Sequence, residues 1–150
     1  MVLGAGGSAR AAVWALKSRG AGVEVAARRM AAARALASEL DVRACAYPPS
    51  DGWDVLVNTT PLGMWPDVDE SPLDRQALQR ASGTIVYDLV YNPEETRLLR
   101  DAKDAGATTI GGLEMLVGQA CRQFQWWTGR VAPREVMDEA ARKFLREARG

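Results

Sequence analysis

Within its first nine residues the chain passes from an apolar stub, Met1-Val2-Leu3, into Gly4-Ala5-Gly6-Gly7 and then into an alanine-rich stretch. Glycines packed this closely between an apolar segment and good helix formers turn a strand sharply into a helix. The helix is read over residues 8–19, with Val13 and Leu16 on one face and Gly20 and Gly22 ending it. The alternation then continues. Residues 23–27 read as a strand, 30–40 as a helix, 42–46 as a weak strand before Pro48-Pro49, and 54–58 as a short buried strand. A long loop with three prolines covers 59–72, and a short helix is predicted over 74–80. Residues 84–88 read as a strand, and Asn92-Pro93 reads as cap and first turn of a helix reaching about Ala105. A strand over 107–110, a long helix from Gly111-Gly112 to about Trp127 and a last helix opened by Pro133 complete the chain.

Strands that alternate with helices this regularly need right-handed crossovers and a parallel sheet covered on both faces. The expected fold class is therefore α/β: a Rossmann-like doubly wound parallel sheet of about six strands, followed by two C-terminal helices.

The glycine loop suggests a chemistry. Gly4-x-Gly6-x-x-Ala9 has the spacing of a dinucleotide-binding turn. The first glycine permits the sharp turn, the second lets backbone approach a pyrophosphate, and the small third residue lets helix and strand pack closely. The helix N-terminus adds free N–H groups and a positive dipole end. Alone the match is weak, because clustered glycines are often only a turn. A strand before it, a helix after it and a second strand about twenty residues on supply the required context.

The tip of that second strand bears on which dinucleotide fits. An acidic residue there would hold a ribose 2′-hydroxyl. The chain instead has Ala27, Arg28 and Arg29, and Glu24 lies too early in the strand. Two guanidiniums suit a 2′-phosphate, which points to NADP over NAD; a solvated basic turn is the plain alternative.

Composition narrows the remaining classes. The formal net charge of +0 favours neither nucleic acid nor an anionic membrane surface as partner. No apolar run approaches a membrane span, and no secretory signal is visible, so a cytoplasmic location is expected. The absence of histidine excludes His-dependent triads and most zinc sites, and no metal site is expected. Cys45 and Cys121 are expected to be small buried free thiols.

Four stretches resemble the shikimate dehydrogenase family: Gly4-Ala5-Gly6-Gly7-Ser8-Ala9-Arg10-Ala11, Val57-Asn58-Thr59-Thr60-Pro61-Leu62-Gly63-Met64, Tyr87-Asp88-Leu89-Val90-Tyr91-Asn92-Pro93, and Gly111 to Ala120. Trp127-Thr128-Gly129 closing the long helix also fits. The resemblance implies an NADP-dependent oxidoreductase interconverting 3-dehydroshikimate and shikimate in aromatic amino acid biosynthesis. It implies that Gly4, Gly6, Gly7, Ser8 and Ala9 cradle the pyrophosphate, that Arg28 and Arg29 hold the 2′-phosphate, and that Thr59 and Thr60 line the adenosine side. Leu89, Gly112 and Met115 would surround the nicotinamide, and Tyr91 and Gln119 would reach the substrate. Neutral donors such as a phenol and an amide suit the hydroxyls of a polyhydroxylated ring carboxylate.

The chain departs from the family pattern in two ways. The family usually shows Asn-Arg-Thr at the second strand's tip and another basic residue a turn later. Here Ala32 stands near that later position, with Arg34 as a possible substitute. The family also carries its catalytic lysine and aspartate on a separate substrate domain. Lys17, Lys103 and Lys143 match no such motif, so no catalytic residue is assigned. Residues 1–129 are expected to form the dinucleotide-binding domain, and 130–150 a helix that packs toward a substrate domain. The chain alone is expected to be inactive and to self-associate through Leu116, Val117, Phe124, Trp126, Trp127, Val136, Met137 and Phe144. Two other readings stay open: a non-catalytic dinucleotide-binding or regulatory module, and a quinate/shikimate dehydrogenase using NAD.

Overall fold

The computed structural model describes residues 1–50 and 52–147. Six strands form one parallel sheet: β1 (Val2–Leu3), β2 (Glu24–Ala26), β3 (Arg43–Cys45), β4 (Val55–Asn58), β5 (Ile85–Asp88) and β6 (Thr108–Ile110). Their order is β3-β2-β1-β4-β5-β6. The chain winds outward from β1 to one edge, returns to the centre at β4 and winds to the other edge, which is the Rossmann-like doubly wound topology. Five helices complete the described residues: α1 (Gly7–Lys17), α2 (Met30–Leu40), α3 (Arg97–Asp104), α4 (Gly112–Thr128) and α5 (Arg134–Glu147).

Each face of the sheet buries its own layer of side chains. Leu3, Ala26, Leu56 and Val86 point to one face and pack with Leu98, Leu99 and Ala102 of α3 and with Leu78. Val2, Val25 and Val57 point to the other and meet Ala9 and Val13 of α1 and Ala33 and Leu36 of α2. Period-two alternation along strands buried on both faces explains why these segments read as nearly continuous apolar runs. The small Ala9 and Ala33 are fully buried. Their lack of bulk lets two helices lie close on the sheet. α4 and α5 form a separate seam in which Leu113, Val117 and Leu145 are buried, with Leu116 and Met137 packed against them.

Three local expectations change. Residues 74–80 form successive turns and not a helix. Asp74 accepts from Leu78 N at 3.3 Å and, through its side chain, from Ala77 N at 2.8 Å, but the segment adds no further helical ladder. A nucleus this short between Pro72 and Ser82-Gly83 cannot propagate. The helix predicted from Asn92-Pro93 starts later, at Arg97. Thr96 is its cap, and its hydroxyl accepts from Leu99 N at 3.3 Å. Cys45 and Cys121 are free, as expected, but only half-buried.

Thr96 starts the helix because a buried network holds it. Asp88, at the end of β5, is fully buried. Its Oδ1 accepts from Asn58 Nδ2 at 2.9 Å and from Val90 N at 3.0 Å, and its Oδ2 accepts from Thr96 Oγ1 at 2.7 Å. Burial pushes the Asp88 carboxyl above its ordinary value, and these three hydrogen bonds pull against that shift.

Thr96→Val keeps the shape but removes a donor to Asp88 and the helix cap together, so unfolding by urea should show a loss of about 2–3 kcal/mol. The pH dependence has a definite sign. A carboxyl whose folded pKa is raised contributes stability that is complete below its unfolded pKa and is lost as pH rises through the folded one. In Asp88→Asn this component vanishes. The stability of the parent relative to Asp88→Asn should therefore decline as pH rises from about 3 toward 7. A flat difference between urea midpoints across that range would contradict it.

Candidate functional site

The order of strands reverses between β1 and β4, and the loops that leave these two neighbours splay apart there. In open α/β sheets this crevice beyond the carboxyl ends is where ligands bind. Gly4 opens the loop after β1 with φ +112°, and its N–H donates to Ala26 O at 2.8 Å. A Cβ on Gly4 would lie 2.5 Å from Thr59 Oγ1. Thr59 is fixed in turn, because its N–H and Oγ1 both donate to Leu3 O, at 2.9 and 2.6 Å. The first glycine is thus required both by backbone conformation and by the loop across the crevice.

Gly6 and Gly7 differ. Gly6 caps α1 and Gly7 is its first residue, and a Cβ on either would meet no heavy atom within 4 Å. Gly6 has no side-chain cap, so the first N–H groups of α1 face an open cradle. Missing side chains here leave space in front of a helix N-terminus, which suits a phosphate group. Ser8 is exposed beside this cradle, while Ala9 is buried against the sheet.

From this cradle a groove of about 520 Å³ extends past the tip of β2. Gly4, Gly6, Arg28, Arg29, Thr59 and Thr60 line it together. Arg28 and Arg29 are exposed, and among the described residues neither guanidinium has a hydrogen-bonding or ion-pair partner. Glu24 lies away from the groove and pairs with Arg43 on β3. Ala32 lines the groove but Arg34 does not, so the structure gives no support for Arg34 as a replacement cation. Asn58 holds the opposite wall: its Oδ1 accepts from Thr60 N at 2.9 Å and Thr60 Oγ1 at 2.7 Å, while its amide donates to Asp88.

Of the remaining sequence-predicted residues, Leu89 and Gly112 meet at a second corner, where α4 begins beside the end of β5; Tyr91 follows β5, and Met115 and Gln119 lie further along α4. Gly112 N donates to Val90 O at 3.3 Å, and a Cβ on Gly112 would stand 2.3 Å from Leu89 O and 2.6 Å from Val90 O. Glycine is the residue that permits this approach, and it brings Leu89 and the first turn of α4 together. Met115 is half-buried, and Tyr91 and Gln119 are exposed. None of these five lines the groove described above.

Sequence reasoning missed four contributors. Asn58 and Asp88 were read as strand ends and Thr96 as part of a helix begun at Asn92, yet the three form one buried hydrogen-bonded network. Their signal was a polar residue at the last position of each of two central strands. Tyr47 also lines the groove, and its phenol donates to Pro72 O. An isolated aromatic after a weak edge strand carried no signal of this.

Lys17 Nζ is held by Leu40 O and Asp41 O at 2.8 Å and by Asp41 Oδ2 at 2.9 Å. Lys103 lies on α3 and Lys143 on α5. Only part of the anticipated apolar surface is open. Val117 is buried, and Leu116 and Met137 fill the seam between the last two helices, while Trp126, Trp127, Val136 and Phe144 are exposed. Among the described residues no cluster of potential metal ligands occurs, and no helix is long and apolar enough to cross a membrane.

Fold and site together define a doubly wound α/β domain with a glycine-rich loop at its topological switch point. Comparison with known proteins narrows the class. The family model for the shikimate 5'-dehydrogenase C-terminal domain matches residues 112–142. The NADP(+) shikimate dehydrogenase of Natronomonas pharaonis is 46% identical over 153 residues, covering 97% of this chain and 55% of that protein. A Thermus thermophilus shikimate 5-dehydrogenase, solved with NADP(H) and shikimate, superposes with a TM-score of 0.86 at 39% identity, over 95% of this chain and 53% of that one. A further shikimate dehydrogenase, solved with NADP+, gives 0.90 at 36% identity, over 96% and 53%. The chain belongs to the shikimate dehydrogenase family and corresponds to its C-terminal domain. It spans about half the length of these relatives.

The two loop glycines should respond differently to a methyl group. Gly4→Ala should lower stability by about 1–3 kcal/mol, through the positive φ and the contact with Thr59. Gly6→Ala should cost about 1 kcal/mol or less, as expected for a helix cap in open space. Thermal unfolding of the two variants side by side measures the contrast.

Proposed function

We propose that this chain is the NADP-binding part of an oxidoreductase that interconverts 3-dehydroshikimate and shikimate. The single observation that carries the proposal is the pair of unpartnered guanidiniums, Arg28 and Arg29, in one groove with the open glycine cradle. Family membership and relatives bearing this activity support it. When bound, the nicotinamide would supply or accept the hydride.

The chain's own residues divide the remaining work. Backbone N–H groups at Gly6, Gly7 and Ser8 receive the pyrophosphate, and Ala9 lets α1 sit close enough to aim them. Arg28 and Arg29 clamp the 2′-phosphate, and Thr59 and Thr60 wall the adenosine side. Leu89, Gly112 and Met115 shape an apolar corner that keeps water from the reacting ring. Tyr91, after β5, and Gln119, on α4, are both exposed and would offer a phenol and an amide to the substrate's hydroxyls. The three lysines lie on helices at other places, Lys17 in an ion pair with Asp41 and Lys143 in one with Glu147, so proton transfer is assigned to a separate substrate domain. Residues 1–129 form the cofactor unit on this reading, and the final helix, with its exposed Val136 and Phe144, faces that other domain.

Replacing Arg28 and Arg29 together by alanine should weaken NADP by about tenfold to a hundredfold and leave NAD nearly unchanged, because only NADP carries the phosphate. Calorimetric titration of both cofactors tests this. Equal losses would show that the arginines do not read the phosphate, and no binding of either cofactor by the parent would end the proposal.

The chain by itself should bind NADP yet give no measurable NADPH with saturating shikimate. Without the proton-transfer group about 10²–10⁴-fold of rate is lost, and incomplete substrate positioning adds to it. With Trp126, Trp127, Val136 and Phe144 exposed, light scattering should show self-association. Turnover by a stable monomer would refute both expectations.

A further inference from the structure

We infer that Tyr47 is the wall against which the adenine base lies, and so the residue that recognises the base in this groove. The inference rests on the nucleotide reading above. With the pyrophosphate at Gly6 and Gly7 and the 2′-phosphate at Arg28 and Arg29, the adenosine half of a ligand runs from β1 across the tip of β2. β3 is the next strand outward, and Tyr47 follows it by two residues. Its side chain reaches back into the groove, where it is the single aromatic among the described lining residues.

The ring is held in place before any ligand arrives. Its body packs on the buried layer that contains Leu3, Ala26 and Leu56. Its phenol donates to Pro72 O, which commits the hydroxyl to the protein and leaves the ring to the groove. Burial pushes the phenol's pKa up, while the nearby Arg28 guanidinium draws it down. A flat purine needs an apolar surface with a π face, and a fixed aromatic offers it at little entropic cost. Across the groove Thr60, Pro61 and Leu62 supply a second wall with no aromatic group. Selectivity for a base over a bare sugar phosphate therefore falls to Tyr47.

The test compares two probes that differ only in the base: adenosine 2′,5′-bisphosphate and the methyl riboside of ribose 2,5-bisphosphate. The parent should bind the adenosine compound about tenfold more tightly. Tyr47→Leu should lose that preference while keeping its affinity for the base-free probe, and Tyr47→Phe should retain the preference. If Tyr47→Leu weakens both probes equally, or keeps the preference, the inference is overturned while the nucleotide reading stands. If the parent binds neither probe, both fall. A measurement on the parent guards against a variant that does not fold. Bound adenosine bisphosphate should show nuclear Overhauser contacts between adenine H2 or H8 and the Tyr47 ring protons. Their absence in a saturated complex would overturn the inference.

Discussion

A carboxylate buried at the end of β5 links the two corners of the candidate site. Asp88 ends β5, yet through Asn58 it reaches the loop that walls the groove, and through Thr96 it sets the start of α3. Charge is costly to remove from water, and it persists inside a fold where several donors converge on it. Three donors do so here, from β4, from the turn after β5 and from the cap of α3. The same arrangement leaves no buried side-chain polar atom unpartnered among the described residues. Loops after β4 and β5 therefore inherit their positions from one polar centre and not from apolar packing, which would constrain them less in direction.

Glycines divide the site by a different physical rule. Gly4 and Gly112 are places where protein approaches protein: a methyl group would meet Thr59 in one case and the carbonyls of Leu89 and Val90 in the other. Gly6 and Gly7 are places where protein approaches nothing that belongs to the chain. Glycines demanded by packing explain how the corners form. Glycines facing open space at a helix N-terminus, beside two unpartnered arginines, are what a phosphate-bearing ligand would require.

Ion pairs around α5 show how the last helix is oriented. Arg142 pairs with Asp138 on its own helix and with Glu94 in the loop after β5, and Arg134 pairs with Glu114 in the first turn of α4. These contacts are partly exposed and contribute modestly to stability. Their effect is directional: they set α5 against the β5–α4 corner, and leave Trp126, Trp127, Val136 and Phe144 facing outward.

The sequence by itself determined the fold class, the strand-by-helix alternation and the glycine turn from β1 into α1, since those depend on local periodicity and on glycines at fixed spacing near Gly4, Gly6 and Ala9. It also placed α2 over Met30–Leu40 and ended α4 at Gly129, where the left-handed cap is a local property of the backbone. Tertiary structure decided what depends on distant partners. Asn92-Pro93 has the local chemistry of a helix start, but Thr96 took that role because Asp88, eight residues earlier, accepts its hydroxyl. Residues 74–80 had helical composition, yet lacked the length to sustain a ladder. Leu116, Val117 and Met137 look like exposed apolar residues when read along one helix, and become a seam once α5 folds back on α4. Tyr47 joined the groove because β3 lies beside β2 in space, although twenty residues separate Val25 from Cys45 along the chain. Local signals fix which element forms; which side chains then share a cavity follows from strand order and from buried partners far apart in the chain.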